Sequence, residues 1–437
     1  MGFIRNTPVF TARMRFFVLA VGAQNLLLIG RDLVVAYIWG TTEPLADLMS
    51  AMIVPIMLMS LLGNSIAAAL LPVYLHQKKS SSPQVLRMYA QRILSSTAIL
   101  FSATFLVRLV WSWNEPHSVG MSLYGLLFAL ASVPRTFLIA ENQDRAVLIA
   151  PVIALASGIA WLALTYPVFN VGALESGYIA SAAVELLALL GFVQRRVFTL
   201  SPFRLKFYSK EFNGLRNQLG WVAGNSLLMS VTLMLDQTIA RSLGASTLVH
   251  YNYALKITSM FLSLATALLT LYVLPRLTTA IAHDQPALAK ARLIKYIGTT
   301  LVIVLPVSLL FSAYSGTLAS LLFERGAFLA ADSFAVGMAQ RYFLLQLPSH
   351  FIMLLSTQVL LAHQQARWVF ASGLLIVIVR PLLSWNLVSH VGLPGVGIAA
   401  ATVHFLTAVG LTVCAFWYLK RSLAGAAISN PALRQAN

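Results

Sequence analysis

Gly30-Arg31-Asp32-Leu33-Val34-Val35-Ala36 interrupts a long apolar run, is followed by a turn at Gly40, and leads into a second run ending in Leu71-Pro72. Asp236 stands 204 positions after Asp32, in Leu235-Asp236-Gln237-Thr238-Ile239-Ala240, again with a turn at Gly244 and an apolar run ending in Leu274-Pro275. From Asp32 to Pro72 is 40 positions, and from Asp236 to Pro275 is 39. A charge inside a lipid-length apolar run is expensive, so matching acids in two halves of one chain mark a functional or structural repeat. Secondary transporters are built from such repeats.

Composition agrees. The chain has 437 residues, of which 59% are hydrophobic and 10% charged, with a mean hydropathy of +0.80. Soluble domains carry about 25% charged residues, so this chain could not cover its apolar surface in water. Runs of about 20 apolar residues recur along it, which predicts a polytopic helical membrane protein. The lone Cys414 implies no disulfide, and no metal or redox cysteine motif is present.

The net charge of +17 is placed for a membrane and not for nucleic acid. Basic residues gather in alternate short loops: Arg5, Arg13 and Arg15 before the first span, Lys78, Lys79 and Arg87 after the second, and Arg195, Arg196, Arg204 and Lys206 after the sixth. Loops on the other side, such as 111–118 and 167–172, hold almost no Lys or Arg. The positive-inside rule then puts both termini in the cytoplasm. Arginines before an apolar stretch superficially suggest a signal peptide, but the stretch from Phe16 to Trp39 is too long for one and reads as the first span.

Twelve spans are predicted, at 14–39, 45–75, 93–112, 119–140, 146–166, 172–194, 217–243, 247–277, 294–316, 336–362, 367–389 and 396–419. The division is an N-terminal lobe at 1–194, a basic cytoplasmic linker at 195–216, a C-terminal lobe at 217–420 and a tail at 421–437. Six spans per half makes the repeats parallel, related by a pseudo-two-fold along the membrane normal, with a cavity between lobes that rock against each other. Pro55, Pro151, Pro306, Pro348 and Pro381 lie within spans and permit kinks.

No nucleophile elbow, phosphate loop, zinc-protease motif or Cys/His cluster is present, so the chain is not read as an enzyme. What stands out is cations at membrane depth. Arg108, Arg135, Arg241 and Arg325 lie near span ends, where snorkelling suffices, and Arg341 lies about a turn further in. Arg31, Lys256 and Arg380 sit deeper. Such groups must pair with acids, face a hydrated cavity or bind an anion. Arg31 has Asp32 and Asp47 nearby as ion-pair partners. Lys256 has no acid within one helical turn, which favours a substrate or cavity role. Arg380 precedes Pro381 and either caps a kinked helix or serves function. Asp236 reads either as a salt-bridge partner of Arg241 or a neighbouring lysine, or as a site for Na⁺ or H⁺ coupling. Asn386 and Thr402 offer neutral oxygens on two other spans of the same half.

Leu322-Phe323-Glu324-Arg325-Gly326-Ala327-Phe328, with Asp332 after it, resembles a periplasmic signature of the MurJ/MviN lipid II flippases. Arg31-Asp32, Asp47, Leu71-Pro72-Val73-Tyr74 and the segment from Tyr253-Ala254 to Leu274-Pro275-Arg276-Leu277 resemble further motifs of that family, in order, over about residues 14 to 420. The resemblance implies the fold shared with the MATE exporters and export of a polyprenyl-diphosphate-linked saccharide, with membrane lipids and glycan-synthesis proteins as partners and no cofactor beyond a coupling Na⁺ or H⁺. It implies substrate binding by Arg31, Lys256, Asp47, Asp32 and Arg380, and an ion held by Asp236, Asn386 and Thr402. Departures are plain: Asn25 stands where family members carry arginine, Leu58-Met59-Ser60 replaces paired arginines, and Leu255-Lys256-Ile257-Thr258-Ser259 keeps only the cation of an Asp-Arg-x-x-Glu motif. Leu382 stands where a further ion ligand would be, and two C-terminal spans are lacking. A cation-coupled small-molecule exporter and a transport-inactive scaffold in an envelope complex are the rival readings.

Overall fold

The computed structural model describes residues 8–64, 83–112, 114–141, 143–196, 216–269, 273–282 and 285–429. The end of the first repeat at Leu71-Pro72 and nearly all of the basic linker lie outside them. Among the described residues the chain is helical and has no strand. Backbone contacts divide it into two compact units, Met1–Ser230 and Val231–Asn437, so the division falls within a helix, after the sequence-predicted linker.

The first unit contains α1 (Pro8–Trp39), α2 (Glu43–Met59), α3 (Pro83–Trp111), α4 (Ser118–Ala140), α5 (Asp144–Phe169), α6 (Val171–Arg196) and the start of α7 (Arg216–Ser242). α6 packs against both α5 and α4, α4 in turn holds α2 and α3, and α1 leans on α5. The first unit's core is built from Phe101, Phe105, Phe137, Leu138, Leu189 and Val193. α5 buries Ala146, Ala150, Ala154, Gly158 and Leu162, one residue per turn. In lipid, small residues in such a stripe let backbones approach closely. A Cβ on Gly158 would come within 2.9 Å of the Ser181 Cβ and 3.0 Å of the Gly177 carbonyl oxygen on α6. Gly158→Leu is therefore expected to push α5 from α6 and lower the thermal midpoint of the purified protein by several degrees, an overpacking cost of about 1–3 kcal/mol.

The second unit continues with α8 (Ala245–Leu268), α9 (Leu274–Ala282), α10 (Pro286–Thr299), α11 (Leu305–Ala313), α12 (Ser315–Phe323), α13 (Ala330–Leu345), α14 (Leu347–Ala362), α15 (Ala366–Val391) and α16 (Pro394–Ser429). α16 is its axis, packing against α15, α14, α13 and α10. Leu355, Val359, Leu360, Leu411 and Leu419 fill the core. Of the five span prolines, Pro55, Pro151 and Pro381 lie inside continuous helices, and Pro306 and Pro348 stand at helix starts. Pro348 lacks an N–H and crowds the preceding turn, and the tenth span breaks at Gln346 into α13 and α14. A π turn at Thr300–Val304 leads into α11, with Pro306 in its first turn.

Each of the twelve sequence-predicted spans contains a helix. Nine helices among the described residues are long and apolar enough to cross a membrane, so this is a multi-pass membrane protein. α7 and α8 carry polar residues that the fold buries. Ser230, Thr232, Asp236, Gln237 and Thr258 are all buried.

Candidate functional site

The repeat seen in the sequence is repeated in the backbone. α1 ends at Gly40 with φ of 54°, and α7 is followed by Gly244 with φ of 138°, conformations that side chains with a Cβ rarely adopt. Eight residues before each glycine stands a buried acid, Asp32 or Asp236. Each acid is paired with an arginine and has a tyrosine at the same cluster, but the arginine comes from a different place in each unit.

In the first unit the cation is the neighbour in sequence. Arg31 Nε and Nη2 donate to Asp32 Oδ1 at 3.3 and 3.2 Å. The guanidinium carbon lies 4.7 Å from the ring centroid of Tyr178 on α6, close enough for a cation–π contact. The Tyr178 ring sits 5.3 Å from that of Tyr124 on α4. Arg31 also faces a cleft whose other walls include Gly158 on α5 and Gly177, Tyr178 and Ser181 on α6. A guanidinium has five N–H donors, and the Asp32 pair leaves its Nη1 edge free. Arg31 can thus hold a carboxylate and still donate to a second anion. Asp47, half-buried near the start of α2, is not the partner that Arg31 takes here.

In the second unit the cation arrives from far along the chain. Arg380 Nη2 on α15 lies 2.5 Å from Asp236 Oδ2, and the Tyr251 hydroxyl on α8 donates to the same oxygen at 3.5 Å. The Asp236 side chain is completely buried and that of Arg380 is 10% exposed. Arg380, expected on the substrate, pairs with the acid through Nη2; neither Arg241 nor a lysine fills that role. Ser384 follows on the same face of α15, also buried. Asn386 and Thr402 are exposed, and the structure does not gather them with Asp236. The buried stripe of α15 runs through Gly373, Ile376, Arg380 and Ser384. Asn386 lies two residues past it, about 200° around the helix.

Lys256 is half-buried on α8, with Nζ 4.9 Å from the Tyr253 ring centroid. Arg341 is anchored on α13 by its Nε donating to the Ser312 carbonyl at 3.4 Å. Sequence reasoning missed Glu185, a buried acid in α6 that pairs with Arg135, and Glu175, 2.5 Å from His117 Nδ1. Both acids sit in the sixth span, where the sequence reading looked for none. The cost of a charge at membrane depth was the signal that could have found Glu185.

The heptapeptide that carries the resemblance is a structural turn. Gly326 has φ of 60°. Phe323 and Phe328 are buried against Tyr253, with centroid distances of 4.9 and 5.3 Å. The Ser333 hydroxyl donates to Glu324 at 2.9 Å. Asp332 caps the Leu329 N–H at 2.9 Å and pairs with His250 at 2.9 Å. Arg325 is exposed, and its guanidinium donates to the Leu321 carbonyl.

Among the described residues the site has charges neutralised at membrane depth, at Asp32 and Asp236, and in Arg31 an arginine with donors to spare. Comparison with known proteins fits that picture. Solved structures of similar fold include a lipid II flippase MurJ in an inward closed conformation, with a TM-score of 0.74, 16% identity, and coverage of 93% of this chain and 90% of that one. An inward-facing multidrug resistance MATE transporter of the MOP superfamily matches with a TM-score of 0.70 and 13% identity, covering 92% of this chain and 96% of that one. A MOP superfamily transporter from Pyrococcus furiosus follows at 0.61 and 12%, with 93% and 95% covered. No curated protein matches by sequence. The family model of the lipid II flippase MurJ matches residues 35–432, and with nearly the whole chain covered, this protein belongs to the MurJ lipid II flippase family.

Proposed function

We propose that this chain translocates a polyprenyl-diphosphate-linked saccharide, lipid II or an exopolysaccharide precursor, across the bacterial cytoplasmic membrane by alternating access. Both termini are cytoplasmic in this reading. The observation that carries it is Arg31, half-buried at membrane depth with donors left over after its pair with Asp32. Charge-assisted hydrogen bonds from that edge replace the hydration of a diphosphate, while the prenyl chain stays in lipid. Lys256, half-buried on α8, is a further cation proposed for the head group. Outward movement of a negative head group gains about 2.3 kcal/mol per charge per 100 mV from an inside-negative potential.

Arg31→Ala and Lys256→Ala are each expected to lower surface glycan tenfold or more while the amount of inserted protein is unchanged. Normal glycan export by both variants would overturn the assignment. Complementation of a strain depleted of its lipid II flippase separates the cargoes: growth identifies lipid II, and loss of secreted polysaccharide alone on deletion identifies an exopolysaccharide precursor.

A further inference from the structure

The two clusters differ in one respect that bears on what drives the cycle. α5 and α15 are both 26 residues long, and at the fifteenth position of each the buried stripe carries Gly158 in one and Arg380 in the other. Four residues on, the same stripe carries Leu162 and Ser384. Where the first unit leaves a cleft at this level of the fold, the second has filled the position with a guanidinium.

That guanidinium lies where a coupling cation would have to bind. A monovalent metal ion at Asp236 needs the carboxylate and several further oxygens. Here Oδ2 is taken by Arg380 at 2.5 Å, and Asn386 and Thr402 face away. Buried oxygens with no hydrogen-bond partner among the described residues include Asp236 Oδ1, Gln237 Oε1 and Ser384 Oγ, and the Tyr251 hydroxyl donates to Asp236 Oδ2. We infer that Arg380 is a tethered cation: it permanently occupies the cation site at Asp236, so the chain binds no sodium there, and its removal uncovers a latent site for Na⁺ or Li⁺. The inference holds whatever cargo is carried, because it concerns an ion and not the substrate.

The test follows thermal unfolding of the purified full-length protein in NaCl, LiCl or choline chloride at constant ionic strength, with no lipid-linked substrate present. The native protein and Arg380→Lys are expected to give the same midpoint in all three salts. Arg380→Ala is expected to melt lower in choline chloride and to rise by about 3 °C in NaCl or LiCl. Adding Asp236→Asn to Arg380→Ala should abolish that rise. A folded Arg380→Ala protein indifferent to sodium would sink the latent site. Should Arg380→Ala not yield folded protein, binding of radioactive sodium to the native chain decides: stoichiometric binding lost in Asp236→Asn overturns the inference, and no binding supports it. Since no glycan enters either measurement, failure here is distinguishable from failure of the flippase reading.

Discussion

Asp236→Ala is expected to destabilise the protein by about 3–5 kcal/mol, because it leaves the Arg380 guanidinium buried and unpaired. The Asp236 side chain has no exposure and that of Arg380 is 10% exposed, so water cannot make up the loss. The Tyr251 hydroxyl loses its acceptor as well. The double variant Asp236→Leu with Arg380→Met should behave differently. Replacing both members of a buried pair by apolar residues of similar volume is often neutral or stabilising. Thermal unfolding in detergent should therefore rank native and double variant close together, with Asp236→Ala well below. A single variant as stable as the native protein would show that the pair is not closed as described. Transport by the stable double variant then reads the pair's role in the cycle, separately from its role in folding.

Phe328→Ala should cost about 3–5 kcal/mol, the usual range for truncating a buried phenylalanine. Phe328 is 1% exposed and packs against both Tyr253 and Phe323. The nearby Arg325→Ala should be nearly silent, since Arg325 is exposed and, among the described residues, its side chain donates only to a carbonyl of its own turn. The contrast tests whether the heptapeptide is a plug and not a substrate contact. Membrane protein levels should fall in Phe328→Ala while glycan export per folded molecule stays close to native. A loss of export per molecule in Arg325→Ala, at normal protein level, would contradict the structural reading.

What was legible in the sequence was what lipid makes expensive or periodic. The helices inside the twelve sequence-predicted spans follow from apolar runs separated by short loops, basic in alternation. The two acids stood out because a charge in such a run needs a reason. The partner of Asp236 was not legible: Arg380 lies 144 positions away, and no periodicity joins residues across that distance. Arg31 was read with its partner because Asp32 is the next residue. Asn386 and Thr402 matched a family pattern in sequence but lie off the buried stripes of their helices, and only the rotation of α15 and α16 decides that. Tyr178 and Tyr251 were not singled out at all. An aromatic at membrane depth is ordinary, and its proximity to an ion pair is a product of helix packing.

The different origins of the two arginines have a consequence for how the protein is made. α1 leaves the ribosome with Arg31 beside Asp32, so the first cluster can enter the bilayer already neutral. α7 does not. At about 5–20 residues per second, the 144 positions from Asp236 to Arg380 take about 7–30 s to synthesise. Throughout that interval the acid must stay at the translocon mouth, be held by the insertion machinery, or cross as the neutral carboxylic acid. The second half of the chain thus carries a timing constraint that the first half escapes, written into which helix supplies the positive charge.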